Sequence, residues 1–81
     1  MNDMQCRMAR VALRMSVIDL AVAAKVAPST VSRLEAGEEL KPRTVEAMQR
    51  AFEERGAEFI DGDAPGVRIH PRPAPKPKRK R

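Results

Sequence analysis

The chain has 81 residues, 42% of them hydrophobic, with two Phe and neither Trp nor Tyr. With so few aromatics its core is expected to come from Leu, Val, Ile, Met and Ala, and because a domain of this size buries only about 60% of its unfolded surface, a partner subunit would help it. One Cys and one His exclude a disulfide framework and a thiolate-rich zinc site, and the net charge of +5 favours polyanionic partners.

The charge is unevenly spread. Arg72, Lys76, Lys78, Arg79, Lys80 and Arg81 place six positive charges and no acid in 71–81; removing them from the sixteen bases leaves ten against eleven acids in 1–70. Pro71, Pro73, Pro75 and Pro77 alternate through the same segment. They deny it helix and predict an extended, disordered basic tail. Such a tail attracts nucleic acid non-specifically, through phosphate; a solubilising appendage or a targeting signal has the same composition. The longest purely apolar run, Leu20 to Ala24, is five residues, so neither a membrane span nor a signal-peptide core is expected.

Glycine and proline punctuate the rest. No breaker interrupts Asp3 to Arg14, which predicts a first helix. Ser16 with Asp19 forms a cap-like start for a second, running to about Lys25. Pro28 suits the first turn of a third helix that ends at Ala36 before Gly37, and Pro42 opens a fourth that ends at Gly56. The runs Glu58-Phe59-Ile60 and Val67-Arg68-Ile69 flank the turn cluster Asp61-Gly62-Asp63-Ala64-Pro65-Gly66. They read as a hairpin, or as strands that pair with another chain.

Helical spacing assigns faces. On the third helix Ser32 and Arg33 fall within about 60° of Ser29, while Val31 and Leu34 lie opposite. One side is apolar and anchored; the other offers hydroxyls and a guanidinium with little bulk, suited to a major groove about 12 Å wide. Leu20, Ala21 and Ala24 form the buried side of the second helix. On the first, Cys6, Ala9, Arg10 and Leu13 share one arc, so Arg10 faces the core and needs a carboxylate. Glu35, bordering the apolar arc of the third helix, is the candidate partner. Met4, Met8 and Val11 form a second apolar stripe, either core or dimer seam.

The run Leu20-Ala21, Val26 and Ser29-Thr30-Val31-Ser32-Arg33-Leu34-Glu35-Ala36-Gly37 resembles the helix-turn-helix of the Cro/repressor (XRE) family over about residues 5–56. The resemblance implies a mainly α, lambda-repressor-like bundle of four or five helices (1–56), then short dimerisation strands or a β-hairpin (57–70) and the tail (71–81). It implies a transcriptional regulator, most simply a repressor, binding double-stranded DNA of two-fold symmetry as a homodimer. Pro28, Ser29, Ser32 and Arg33 match base-reading positions. Ser16, Thr30, Lys41 and Arg43 match phosphate-facing ones, and Arg10 and Glu35 match a structural ion pair of the family.

Some residues depart from the family pattern. Val17 stands where Gln is common, Lys25 at the usual Gly of the turn, and Ala27 and Pro28 supply no capping side chain. Glu38 and Glu39 place acids where many relatives are basic. All four departures weaken the expected grip on DNA, which the six tail cations would offset.

No nucleophile–base set, carboxylate pair or phosphate-cradling loop is legible, so no enzyme, cofactor or metal is expected. Cys6 reads as core and His70 as solvent-exposed. The resemblance places the protein in a bacterial or phage-type cytoplasm, associated with the nucleoid. RNA polymerase is a possible contact. An antitoxin bound to a toxin, a coactivator-like interaction module, and a tail-driven nucleoid or RNA binder are the alternatives.

Overall fold

The computed structural model describes residues 1–71; the expected basic tail, 71–81, lies outside them from Arg72 onward. Four helices, α1 (Asp3–Ala12), α2 (Val17–Ala24), α3 (Pro28–Glu35) and α4 (Pro42–Glu53), precede a hairpin of β1 (Ala57–Ile60) and β2 (Gly66–Ile69). The architecture is mainly helical with one short hairpin, as the sequence implies.

Each helix starts on a local signal. Asn2 Oδ1 accepts from the Gln5 N–H at 2.7 Å while Gln5 Oε1 accepts from the Asn2 N–H at 3.0 Å. Ser16 and Asp19 repeat this reciprocal cap on α2, at 3.0 and 2.9 Å. Pro28 and Pro42 occupy the first turns of α3 and α4, where the N–H that proline lacks has no helical partner.

The helix ends are less regular than the sequence suggests. α1 stops at Ala12, two residues short of the expected Arg14. Arg14 is left-handed at φ 57°, with its N–H on the Val11 carbonyl at 3.0 Å and the Met15 N–H on the Arg10 carbonyl at 2.8 Å. That is a Schellman closure made without glycine. Lys25 closes α2 in the same way at φ 62°, at a cost of about 1 kcal/mol relative to glycine. α3 ends at Glu35, where Gly37 adopts φ 95°, and α4 gives way after Glu53 to a turn reaching Gly56 at φ 103°.

α2 and α3 are joined by a tight connection, Lys25 to Ala27, and pack with α4 around one core. Cys6, Ala9, Leu20, Ala21, Ala24, Val31, Leu34, Met48, Ala51, Phe52 and Ala57 form it. The strands pair with each other, Ala57 opposite Ile69 and Ile60 opposite Gly66. Phe59 carries the hairpin onto the bundle, its ring 6.0 Å from that of Phe52.

A two-stranded hairpin is marginal alone. Here Gln5, only 1% exposed, locks it to α1. Its Nε2 donates to the Ile60 carbonyl at 2.9 Å and the Gly66 carbonyl at 3.1 Å, one at the end of each strand. β2, α3 and α4 occupy the other sides of α1, which leaves the second stripe uncovered. Met4, Met8 and Val11 are 57%, 40% and 68% exposed, so the stripe is not core.

Candidate nucleic-acid interface

α3 presents one side to solvent and anchors the other. Pro28, Ser29, Ser32 and Arg33 are exposed and Thr30 is half-buried, while Val31 and Leu34 are buried beneath them. No side chain caps the N-terminus of α3 at Ala27, so the peptide N–H of Ser29 lies at an open helix end.

The far end of α3 is fixed through Glu35. Arg10 Nε donates to Glu35 Oε2 at 2.9 Å and Arg10 Nη2 to Oε1 at 3.0 Å, a bidentate pair. A further Arg10 bond reaches the Met15 carbonyl at 3.2 Å. The Cys6 thiol donates to Glu35 Oε2 at 3.3 Å, and Arg7 donates to the Glu35 carbonyl. Burial by itself would raise the Glu35 carboxyl; the hydrogen bonds from Arg10 and Cys6, with the charges of Arg10 and Arg7, hold it below its ordinary value. The same burial, reinforced by Glu35, pushes the Cys6 thiol up to about 12. Cys6 is therefore a buried, protonated core residue.

The phosphate-facing candidates flank this helix. Ser16 is exposed at the start of α2, but its N–H and its oxygen are both engaged by Asp19. Only the hydroxyl proton remains for a phosphate. The Ser16 bonds hold the Asp19 carboxyl below its ordinary value, so an acid sits beside that position at neutral pH. Lys41 occupies the N-cap position of α4 without a side-chain capping bond, and Arg43 lies in its first turn, both exposed.

Two residues have partners that their sequence positions do not announce. His70 is partly covered, not fully exposed: its Nε2 lies 3.1 Å from Glu58 Oε1, because β2 runs beside β1 up to that point. Arg33 is not unattached. Its Nε donates to Glu38 Oε1 at 3.1 Å. Sequence reasoning also passed over Gln5 and Arg7, and only Gln5 carried a signal, standing three residues after Asn2 as a cap partner.

Among the described residues, no cluster of His, Cys, Asp or Glu could hold a metal ion, and no helix is long and apolar enough to cross a membrane. A search among curated proteins finds no match. A family model described as helix-turn-helix matches residues 7–59, well over half of the chain, from α1 into β1. Members of that family are DNA-binding regulators rather than enzymes. The matched stretch contains the tight α2–α3 connection and the exposed side of α3, and the chain belongs to the helix-turn-helix family of the Cro/C1 (XRE) type.

Proposed function

We propose that this protein regulates transcription by occupying a specific operator, with α3 in the major groove. Ser29, Ser32 and Arg33 read base edges, with Pro28 at the helix tip; Ser16, Thr30, Lys41 and Arg43 hold the flanking phosphates. The carrying observation is that one side of α3 is exposed from Ser29 to Arg33 while Val31 and Leu34 are buried and Glu35 is held by Arg10. A helix held rigidly along one side presents its other side without having to be ordered on binding. Repression follows most simply, since an occupied site excludes polymerase.

A homodimer on two half-sites, about one helical turn or roughly 34 Å apart, accompanies this reading. The exposed stripe Met4, Met8 and Val11 supports it, being apolar surface on a small domain. The six tail cations supply sequence-independent attraction.

Selection of duplexes from a random pool, at one stated salt concentration, tests the proposal. A palindromic preferred site is expected. Arg33→Ala should relax preference at a single base pair per half-site by about 1–3 kcal/mol, the discrimination carried by a bidentate guanine contact. Truncation after Pro71 should weaken all duplexes alike, reducing the salt slope by about 0.9 for each phosphate the tail neutralises. Recovery of no preferred sequence would sink the operator reading.

A further inference from the structure

We infer that Glu38 is a positioning residue that presents Arg33 to a base edge, an inference that rests on the reading of α3 given above. The geometry begins in the backbone. Gly37 is left-handed, and the Schellman closure of α3 joins the Gly37 N–H to the Leu34 carbonyl at 2.9 Å and the Glu38 N–H to the Arg33 carbonyl at 3.0 Å. The two residues linked by that outer bond lie side by side, a place where such closures usually bring apolar side chains together. Here they are an acid and a base. A Cβ on Gly37 would meet nothing within 4 Å, so glycine is required for its backbone conformation rather than for space.

Glu38 Oε1 grips Arg33 at Nε alone, at 3.1 Å, and the two side chains stay 57% and 55% exposed. A guanidinium has five N–H donors, one on Nε and four on the outer nitrogens. Among the described residues Arg33 makes no other hydrogen bond through its side chain, so the outer four remain for a ligand. A bidentate contact to guanine O6 and N7 uses two. Engaging Nε removes rotamer freedom from a long side chain while leaving its recognition end unspent. The carboxylate also repels phosphate, which discourages Arg33 from settling on the backbone instead of a base. An exposed ion pair contributes little to fold stability, so removing it leaves the fold intact for a binding test.

The test uses the full chain and the duplex selected above, alongside duplexes in which each base pair is replaced in turn. Arg33→Ala first identifies the base pair that Arg33 reads. Glu38→Ala is expected to lower discrimination at that same pair by about two- to fivefold, while binding unrelated duplexes more tightly because an acid has gone. Glu38→Gln keeps an oxygen that can accept from Nε but carries no charge. It should lose only the smaller share of discrimination that the charge supplies, and share the tighter binding to unrelated DNA. Full discrimination in Glu38→Ala, or an equal loss in Glu38→Gln, overturns the positioning role. If Arg33→Ala relaxes one base pair and Glu38→Ala relaxes none, only this inference fails. If the wild-type protein prefers no duplex, the reading of α3 fails and the inference with it.

Discussion

Glu35→Ala is expected to lower stability near neutral pH by about 3 kcal/mol, seen as a lower urea midpoint with an unchanged slope. The loss is large because Glu35 is the point where three residues of α1 meet α3. Without it the Arg10 guanidinium, 20% exposed, keeps only the Met15 carbonyl, and the Cys6 thiol loses its acceptor. For a domain of this size such a loss is a large fraction of the total.

The pH dependence separates charge from packing. The folded carboxyl lies below its ordinary value of 4.5, so the folded state binds fewer protons than the unfolded one as the pH falls. The stability this supplies is fully present above the ordinary value and is lost as the pH drops through the lower folded one. Glu35→Gln keeps most of the shape and removes the charge. Its deficit relative to wild type should be constant above about pH 5.5 and shrink steadily in acid. A deficit that stays unchanged into strong acid would show that the carboxylate charge is not its source.

Gln5→Ala should cost about 2–4 kcal/mol and release the hairpin first. The side chain is almost wholly buried, and its amide serves the Ile60 and Gly66 carbonyls together with the Asn2 N–H. Alanine leaves a cavity and strips two inward carbonyls of a donor. Gln5→Glu is the sharper variant, since it preserves size but sets a carboxylate against two carbonyl oxygens. Both variants should speed amide hydrogen exchange in β1 and β2 well before it rises in α2 and α3. A Gln5→Glu protein as stable as wild type would remove the amide from its role as donor.

The helix starts and the buried sides were legible because their causes are local. Ser16 and Asp19 cap α2, Pro28 and Pro42 open helices, and Gly37 closes one, each within a single turn of chain. Arg10 was traceable to Glu35 because a guanidinium on an apolar arc demands a carboxylate and Glu35 borders the apolar arc of the third helix. Gln5 was traceable as a cap partner of Asn2 but not as the lock on the hairpin. Its burial depends on two carbonyls far along the chain that no spacing rule connects to it. Arg14 in the left-handed region breaks the preference for glycine, so the early end of α1 left no mark. The stripe Met4, Met8 and Val11 is periodic enough to suggest a partner surface, but periodicity cannot say whether the chain itself provides one. Arg33 and Glu38 were each noted alone; their pairing depends on a left-handed residue between them.

The lock on the hairpin also orders assembly in time. α1 leaves the ribosome before the hairpin, and the carbonyls that Gln5 grips follow it by 55 and 61 residues. Closing so long a loop carries an entropic penalty that short-range helix contacts avoid. α1 is therefore secured in two stages, to Glu35 early and to the hairpin late, and a nascent chain halted before Gly66 would hold a bundle in which the Gln5 amide still lacks one of its two carbonyls.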